Sequence, residues 1–281
     1  MDFDSVRPLI HQALEEDVGP GDVTVRMTVP REIHAQAVIF PKEPCVMCGG
    51  ALARLVFQEL DSGVTVEVQA GDGQRLAVGQ TALLLAGPAR SLLTGERTVL
   101  NFIQHLSGIA TQTARFVQAV EGTKARILDT RKTLPGWRGL AKYAVACGGG
   151  HNHRMGLYDM VMVKDNHLAL GGAGKDMAAV VARARKELPG IKVEIEADTI
   201  EQVREALAAG ADRILLDNMS CTQMRECVEL TAGRVQLEAS GGVTLETVAH
   251  IAQTGVDFIS VGALTHSVKA IDFSMEIRPL C

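Results

Sequence analysis

The fold is decided by residues 192–218, which read KVEIEADTIEQVREALAAGADRILLDN. The first part predicts a strand over Lys192–Ile195, and the helical spacing that follows predicts a helix over Ile200–Ala209. Gly210 is typical of a helix C-terminus, and Arg213–Leu216 predicts the next strand. This stretch is therefore one strand–helix–strand unit of an α/β fold.

The same unit repeats toward the C-terminus, with predicted strands that begin at residues 192, 213, 235 and 258. Repeated βα units form a parallel sheet or a barrel. The strands carry polar residues on one face, such as Glu194 and Glu196, whereas a sheet covered by helices on both faces is apolar throughout. We therefore expect a barrel. The predicted strands are Arg126–Leu128, Met160–Val163, Lys192–Ile195, Arg213–Leu216, Val235–Leu237 and Phe258–Val261, and the predicted helices are Met177–Leu188, Ile200–Ala209, Thr222–Thr231 and Leu245–Thr254.

The first hundred residues follow another pattern, with short predicted strands at Gln36–Phe40 and Val64–Ala70 and a helix at Ala51–Leu60. This mixture indicates a small α+β domain. A long helix is then predicted from about Glu96 to Ala119.

Composition excludes several classes of protein. The chain has 281 residues, 47% of them hydrophobic, and a net charge of −5, so neither wholesale disorder nor a nucleic-acid partner is expected. No apolar run approaches the roughly 18 residues of a membrane span, and the acidic start is unlike a signal peptide. We predict a cytoplasmic protein without a membrane partner. Of six cysteines, only Cys45 and Cys48 form a C-x-x-C, whose apolar flanks favour buried small residues over metal or redox chemistry.

Polar residues or glycines follow each of the six predicted strands. Ligands of α/β folds bind at the carboxyl ends of strands, so these positions predict one binding site, although each alone could be an ordinary loop residue. They are Asp129–Lys132, Lys164–His167, Glu196, Asp217–Asn218, Ser240–Gly242 and Gly262.

The charge pattern indicates an anionic small-molecule ligand. Residues 123–164 contain eight basic and two acidic residues in an otherwise acidic chain, and Arg97 adds a further cation. Glu196 and Asp217 suit Mg²⁺ beside a substrate phosphate. The backbone N–H groups of Ser240–Gly242 and Val261–Ala263, which precede predicted helices, could hold a phosphate.

Two further patterns were considered as sites. His151, His153 and His167 could suggest zinc, but Arg154 and Lys164 lie among them and would repel a cation, which favours hydrogen-bonding or packing roles. The glycine-rich residues 171–175 lack the spacing of a nucleotide-binding loop and are interpreted as a flexible loop that could act as a lid.

Motifs along essentially the whole chain resemble the type II phosphoribosyltransferases, and specifically the quinolinate phosphoribosyltransferase family. They occur in the family's order and together are highly specific. The matching stretches are Glu16–Asp17, Gly21–Thr24, Gly95–Thr111, Asp129–Gly136, Lys142–Val145, Gly148–Arg154, Lys164–His167, Leu216–Asn218, Glu238–Gly242 and Val261–His266.

The resemblance implies an N-terminal α/β sandwich domain over residues 1–110, an irregular open α/β barrel over 111–269, and a tail, 270–281, that packs back on the first domain. It also implies a homodimer in which Arg97 reaches the neighbouring subunit's site. The implied reaction transfers phosphoribosyl from phosphoribosyl pyrophosphate to quinolinate with decarboxylation, giving nicotinate mononucleotide, CO₂ and pyrophosphate in de novo NAD biosynthesis.

The resemblance also implies site roles. Quinolinate would contact Arg97, Thr130, Arg131, His153, Arg154 and Lys164. Phosphoribosyl pyrophosphate would contact Lys132, Lys164, Glu196, Asp217, Ser240, Gly241, Gly242, Val261, Gly262 and Ala263, with His266 as a further candidate. Lys132, Lys164, Glu196 and Asp217 form the implied catalytic group, with Mg²⁺ at Glu196 and Asp217, directly or through water.

Three alternatives remain open at this point. A sister enzyme that uses nicotinate would share the fold but needs fewer arginines for a monocarboxylate. A related protein of metal-transport operons would share the fold without quinolinate chemistry. A non-catalytic anion-binding protein would hold the ligand and release no CO₂.

Overall fold

The computed structural model describes residues 3–170 and 176–280, which form two compact units. Of these residues, the first unit holds those up to Ala114, the segment Pro135–Gly149 and those from Val268 onward. The second unit holds the described residues of Arg115–Leu134 and Gly150–Ser267. Residues 135–149, which the sequence assigned to the barrel, thus belong to the first unit. The loop at 171–175 lies outside the described residues.

The first unit is built on a four-stranded antiparallel sheet in the order β12–β1–β5–β3, with a two-stranded β2–β4 pair. Strand β12 pairs with β1 from Ala35↔Pro279 to Pro41↔Phe273 and lies at the edge of the sheet. Its strands are β1 (His34–Pro41), β2 (Cys45–Val46), β3 (Thr65–Val68), β4 (Arg75–Leu76), β5 (Leu83–Pro88) and β12 (Phe273–Pro279). Its helices are α1 (Arg7–Val18), α2 (Val23–Thr28), α3 (Gly50–Leu60), the first part of α4 (Ala89–Ala119) and α5 (Arg138–Cys147), after a short 3₁₀ turn at Asp4–Val6.

Helix α4 begins seven residues before the predicted start at Glu96. Gly95 lies inside it, although glycine weakens helix interiors. The reason is the close approach of α3, since a Cβ at Gly95 would lie only 2.6 Å from Cε1 of Phe57. A packing requirement therefore outweighs the local preference at this position.

The second unit contains six parallel strands in the order β6–β11–β10–β9–β8–β7. In this order β6 and β7 are the outer strands, and His151 adds an isolated parallel bridge to Leu128 of β6. This is an open α/β barrel, which together with the smaller antiparallel domain confirms the predicted fold class. The strands are β6 (Arg126–Leu128), β7 (Val161–Val163), β8 (Val193–Ala197), β9 (Arg213–Asp217), β10 (Gln236–Ser240) and β11 (Phe258–Ser260). The helices are α6 (Asp165–Leu170), α7 (Met177–Glu187), α8 (Ile200–Ala208), α9 (Cys221–Thr231), α10 (Val248–Ala252) and α11 (Ala263–His266).

Two Gly-x-Asp repeats join a helix to the next strand in the same way. The Asp212 carboxylate accepts the N–H of Val193 at 2.6 Å, and its own N–H donates to the Val193 carbonyl at 2.8 Å. Asp257 makes the same two contacts with Leu237, both at 2.9 Å. Each aspartate therefore fixes the start of the neighbouring strand. The carboxyl ends of the strands are thereby kept in register at the opposite edge of the sheet.

The strands place polar side chains inside the barrel, as their alternation predicted. Glu194 and Glu238 are fully buried, whereas Gln236, at the start of β10, is exposed. Their apolar neighbours Val193 and Leu237 are also buried. No helix within the described ranges is both long and apolar enough to cross a membrane.

Candidate active site

A cavity of about 680 Å³ lies within the second unit and is lined by residues at and after the carboxyl ends of its strands. Most predicted site residues line it. Of the residues to which the family resemblance gave a role, two are placed elsewhere: Val261 is buried, with 1% of its surface exposed, and does not line the cavity, and Arg97 is an exposed residue of α4 in the first unit. Asp129, Asn166 and His167, which also follow predicted strands, are not on the cavity wall. The predicted residues on the cavity wall are Thr130, Arg131, Lys132, His153, Arg154, Lys164, Glu196, Asp217, Ser240, Gly241, Gly242, Gly262, Ala263 and His266.

The segment that carries His153 is tied to β6 by backbone hydrogen bonds. The His151 N–H donates to the Ile127 carbonyl at 2.8 Å, and the Asp129 N–H donates to the His151 carbonyl at 3.1 Å. The buried Asp129 carboxylate then accepts the N–H of His153 at 2.8 Å. Asp129 therefore positions the chain beside the cavity.

Arg131 and Arg154 form a pair of neighbouring cations on the cavity wall. Burial, and next the positive charge of Arg131, lower the pKa of Arg154. The Arg154 guanidinium contacts the Met160 carbonyl at 3.4 Å and the Met162 sulfur at 3.3 Å, which bring no negative charge. Nε of Arg131 is buried and has no hydrogen-bond partner in the part of the chain that the structure describes. Two guanidinium groups lie side by side here, and one of them has a buried nitrogen without a hydrogen-bond partner among the described residues. Such a pair favours a ligand with more than one negative charge.

Lys164, Glu196 and Asp217 come from the ends of β7, β8 and β9. Lys164 Nζ forms an ion pair with Glu196 Oε2, and Asp217 Oδ2 accepts a hydrogen bond from the Asn218 amide at 2.8 Å. The Lys164 N–H donates to His167 Nδ1 at 3.0 Å, so His167 fixes the backbone at this strand end.

The two carboxylates on neighbouring strands fit a magnesium ion that takes its other oxygens from substrate and water. Neither Glu196 nor Asp217 belongs to a group of three metal-ligand side chains among the described residues, and Glu196 already pairs with Lys164. The protein alone therefore offers too few ligands for a closed metal cage, and the donor set suits an ion that arrives with a phosphorylated substrate.

The backbone of Lys132 is held by two hydrogen bonds, and its side chain lies on the cavity wall. Its N–H donates to Thr130 Oγ1 at 3.1 Å, and its carbonyl accepts from Thr265 Oγ1 at 2.7 Å. The Lys132 residue is exposed on the cavity wall.

The loop after β10 presents bare backbone to the cavity. Gly241 and Gly242 have φ of +97° and +57°, and a Cβ on Gly241 would overlap the Asn218 side-chain amide. A Cβ on Gly262 would lie 3.0 Å from the His266 ring and 3.2 Å from Lys132 Cδ. Only glycine allows this approach, and it leaves the backbone N–H groups uncovered, as a phosphate site requires.

Ser240–Gly242 precede a helix, as expected, but the helix begins three residues later than predicted. Helix α10 begins at Val248 instead of Leu245, because local hydrogen bonds between Thr244 and Thr247 form a turn first. By contrast, Gly262 stands immediately before α11, as expected.

Next to the cavity lies a buried group of side chains, His153, Glu194, Glu238 and Arg213. Of these, the sequence analysis gave a role only to His153. His153 Nε2 lies 3.0 Å from Glu194 Oε2 and 3.3 Å from Glu238 Oε2, with at most 6% of each of these side chains exposed. Arg213 Nη1 lies 2.8 Å from Glu238 Oε2, and its guanidinium lies 4.1 Å above the Phe258 ring. In the sequence, polar and apolar residues alternate along β8 and β10. This alternation was the signal that Glu194 and Glu238 point into the barrel.

Charges within this group shift its pKa values. Burial lowers the pKa of His153, but the two carboxylates outweigh burial and raise it to about 9. Burial raises the pKa of Glu194, whereas His153 and Arg213 outweigh burial at Glu238 and lower its pKa.

The same group has the residue types of a metal site, but the hydrogen bond at His153 Nδ1 does not favour that role. The backbone N–H of Arg154 donates to His153 Nδ1 at 2.7 Å. In the neutral ring Nδ1 is therefore the unprotonated nitrogen, and Nε2, which faces the glutamates, carries the hydrogen. A protonated nitrogen cannot bind a metal ion.

A second group with metal-ligand residue types, Cys48, Asp72 and Cys147, lies in the first unit. Asp72 Oδ1 accepts the N–H groups of Gly49 and Gly50 at 2.9 and 3.0 Å, and its Oδ2 accepts the Tyr143 hydroxyl at 2.7 Å. Asp72 therefore caps the start of α3. Cys45 and Cys48 are buried, as expected, and burial raises the pKa of the Cys45 thiol to about 11. His151, His153 and His167 do not share a group of three ligands in the ranges described.

Comparisons with known proteins agree with this architecture. Two family models match the chain, the N-terminal domain of quinolinate phosphoribosyl transferase over residues 22–107 and its C-terminal domain over residues 109–276. The chain is 46% identical over 282 residues to the nicotinate-nucleotide pyrophosphorylase (carboxylating) of Mycobacterium leprae, which covers 98% of both chains. It is 44% identical over 272 residues to the probable enzyme of that name from Bacillus subtilis, with 97% of this chain and 93% of that one covered.

Solved structures are similar across the same length. The crystal structure of NadC from Streptococcus pyogenes superposes with a TM-score of 0.95 at 40% identity, covering 100% of this chain and 99% of that one. Since family models of both domains match, and the full-length sequence and fold agree with these relatives, the chain belongs to the quinolinate phosphoribosyltransferase family.

Proposed function

We propose that this protein is a quinolinate phosphoribosyltransferase that makes nicotinate mononucleotide, CO₂ and pyrophosphate from quinolinate and phosphoribosyl pyrophosphate in NAD biosynthesis. The observation that carries the proposal is the neighbouring pair Arg131 and Arg154 on the cavity wall, where the positive charge of Arg131 contributes to lowering the pKa of Arg154. Quinolinate has two adjacent carboxylates, and two guanidinium groups bind such a pair through charge-assisted hydrogen bonds.

Quinolinate is assigned to the side of the cavity formed by β6, β7 and the segment after His151. Arg131 and Arg154 bind its carboxylates, and Thr130 and Lys164 lie beside them on the same wall. The ammonium group of Lys164 faces both this region and Glu196, so it links the two substrates.

Phosphoribosyl pyrophosphate is assigned to the other side. Its 5′-phosphate is held by the glycine backbone of Gly241, Gly242 and Gly262, next to Ser240 and Ala263. Lys132 reaches its pyrophosphate, and Glu196 and Asp217 face its ribose. His266, on the same wall, is a further phosphate contact.

The reaction in this site depends on positioning and electrostatics. The pyridine nitrogen attacks C1′ of the ribose while the bond to pyrophosphate breaks. Lys132 stabilises the departing pyrophosphate, and the carboxylates of Glu196 and Asp217 stabilise positive charge on the ribose. Glu196 and Asp217 would hold magnesium, directly or through water, and the bound ion would supply further positive charge to stabilise the departing pyrophosphate. The bond between C2 and its carboxylate then breaks and releases CO₂; the electron pair stays on C2, where the adjacent positive ring nitrogen stabilises it, and a proton from water completes nicotinate mononucleotide.

The active form is proposed to be a homodimer in which the exposed Arg97 of one subunit adds a third guanidinium to the neighbour's quinolinate site. Sedimentation of the protein and complementation between an Arg97→Ala chain and an Asp217→Ala chain test this arrangement. Partial activity of the mixed dimer supports it, and its absence in a verified mixed dimer contradicts it. The cytoplasmic location stays a prediction, which cell fractionation checks.

The direct test mixes purified protein with quinolinate, phosphoribosyl pyrophosphate and Mg²⁺ and follows nicotinate mononucleotide and CO₂ together. Both products are expected in equal amounts, and both should disappear with EDTA and in Lys164→Ala. Turnover of nicotinate without turnover of quinolinate would identify the sister enzyme. Binding of quinolinate without either product would identify an anion-binding protein.

A further inference from the structure

Two cysteine side chains that the proposed reaction does not use lie close together in the first unit. Cys48 stands just before α3 and Cys147 is the last residue of α5, yet their sulfur atoms lie within 4.8 Å of each other. The contact with Cys147 is the largest influence on the pKa of Cys48, which it raises. At Cys45, the other cysteine of the C-x-x-C, burial and next Glu43 raise the pKa instead. The contact that distinguishes Cys48 is therefore one between distant parts of the sequence.

The backbones that carry the two thiols are held by the fold. The Cys48 N–H donates to Ser107 Oγ at 3.0 Å, and the same hydroxyl donates to the Cys48 carbonyl at 3.3 Å. At the end of α5, the N–H of Gly148 donates to the Ala144 carbonyl at 3.0 Å. A disulfide joins sulfur atoms about 2 Å apart. We therefore expect rotation of the two side chains, with little movement of the backbone, to close the gap.

Asp72 completes this group, but its carboxylate is already engaged. Oδ1 accepts the N–H groups of Gly49 and Gly50, and Oδ2 accepts the Tyr143 hydroxyl. A metal ion would have to displace these contacts, and the two thiols alone fall short of the four ligands of a structural zinc site. The geometry favours chemistry between the two sulfur atoms instead.

The two thiols differ in access and in acidity. Cys147 is half-buried, whereas Cys48 has no exposed surface. The contact with Cys48 is the largest influence on the pKa of Cys147 and lowers it; burial, the next, opposes this, and Tyr143 lowers the pKa further. Because the thiolate is the reactive form of cysteine, the accessible Cys147 is the one that reacts first. Cys48 then stands within reach as its second thiol.

We propose that Cys147 and Cys48 are a redox-active pair that a hydroperoxide converts into a disulfide. The Cys147 thiolate attacks one oxygen of the peroxide and the O–O bond breaks, which leaves a sulfenic acid on Cys147. The Cys48 sulfur then attacks the sulfenic sulfur, so that the S–S bond forms and the S–O bond breaks. Together the two thiols lose two electrons and two protons, and the peroxide takes them up to become two molecules of water. A small dithiol reductant reverses the change.

The test treats the whole reduced protein with hydrogen peroxide, alkylates the remaining thiols after unfolding, and maps the cysteines by mass spectrometry. We expect the intact mass to fall by two hydrogens and a single linked pair of peptides that contain Cys48 and Cys147. Dithiothreitol should restore both thiols. Because the new bond closes a long loop of the unfolded chain, the oxidised protein should also unfold at a temperature several degrees higher than the reduced one.

Variants at single cysteines separate this pair from the C-x-x-C of the sequence. Cys45→Ser is the matched control, since it removes the nearer cysteine in the sequence and should form the same disulfide. Cys48→Ala should stop at a sulfenic acid on Cys147, which dimedone labels. Cys147→Ala should leave the buried Cys48 unmodified.

The wild-type protein alone can overturn the inference, even if one of these variants fails to fold. A link between Cys45 and Cys48, or a link from either member of the pair to Cys221 or Cys281, would contradict it. Oxidation of Cys147 to a sulfenic or sulfinic acid without any link to Cys48 would contradict it as well. The experiment needs no substrate, so its outcome is independent of the proposed function.

Discussion

Asn218 and Gly241 show at single residues how closely the backbone is fitted around the cavity. Asn218 has a positive φ of 52°, and Gly241 a positive φ of 97°, where L side chains are strained. The backbone N of Asn218 would also lie 3.0 Å from a Cβ on Gly241. Both residues sit where β9 and β10 end, beside the proposed phosphate site, and glycine at position 241 avoids the strain that an L side chain would bring there.

Gly241→Ala should therefore impair both stability and phosphate binding. We expect the free energy of unfolding to fall by about 1–3 kcal/mol. We also expect KM for phosphoribosyl pyrophosphate to rise by a larger factor, relative to wild type, than KM for quinolinate. Gly233→Ala is the control, because Gly233 has a φ of +74° but no atom within 4 Å of its Cβ position. Denaturant titration and steady-state kinetics check both. Equal effects of the two substitutions would show that crowding against Asn218 is unimportant.

The two substrates should also separate at the level of single side chains. Arg131→Ala should mainly raise KM for quinolinate, because it removes a guanidinium from the dicarboxylate side of the cavity. Asp217→Ala should mainly lower kcat, since it removes a carboxylate from the ribose side. Steady-state kinetics with each substrate varied in turn measures the split. The reverse pattern would contradict the assignment of the two sides.

At the scale of helices and strands, Asp212 of the first Gly-x-Asp repeat connects stability to pH. Burial raises the pKa of Asp212, but its contacts with Arg185 and the Val193 N–H outweigh burial and lower it. A carboxyl group with a lowered folded pKa contributes stability above its unfolded pKa of about 3.9, and this contribution is lost as pH falls through the folded value. The Asp212 carboxylate therefore stabilises the sheet at neutral pH, and this contribution is lost in acid.

Asp212→Ala should accordingly destabilise the protein by about 1 kcal/mol at pH 7, with a difference from wild type that shrinks as pH falls below about 4. Urea unfolding of both proteins across this range measures the difference. Glu205→Gln, at an exposed position of α8 on the same barrel, serves as the control. A difference that stays constant with pH would mean that the charge of Asp212 contributes nothing.

Local sequence signals located most elements but not all of their ends. Predicted strands such as Arg126–Leu128 match the structure because a short apolar run bounded by turns is typical of a buried parallel strand. The start of α10 was wrong because a threonine turn competes with the helix, and the start of α4 was wrong because α3 packs against Gly95. The group around His153 joins three distant segments, so only the folded chain brings it together.

For the whole molecule, the count of basic residues overstated the charge of the site. Of the eight basic residues between 123 and 164, four line the cavity: Arg131, Lys132, Arg154 and Lys164. Lys124 instead pairs with Asp257 at 2.7 Å, and Arg126 is exposed at the start of β6. Arg138 and Lys142 belong to the first unit. A charge count cannot tell which end of a strand, or which unit, a residue will occupy.

The cations on the cavity wall lie in a chain of net charge −5. Because these cations attract the anionic substrates, substrate binding should depend on the salt concentration. Raising ionic strength from about 0.02 to about 0.2 M should raise KM for quinolinate severalfold, because it shortens the screening length to below about 10 Å. Kinetics in potassium chloride and in potassium acetate measure the effect and separate screening from specific anion competition. A KM independent of ionic strength in both salts would contradict it.

Strand β12 comes after the entire second unit in the chain, yet it completes the sheet of the first. During synthesis on a ribosome, the barrel can therefore fold while β1 still has an open edge. The N-terminal sheet is the last part to be completed, although most of it is made first. Until β12 arrives, the backbone of β1 can pair with a strand of another chain, so slow synthesis near the C-terminus should favour aggregation during expression.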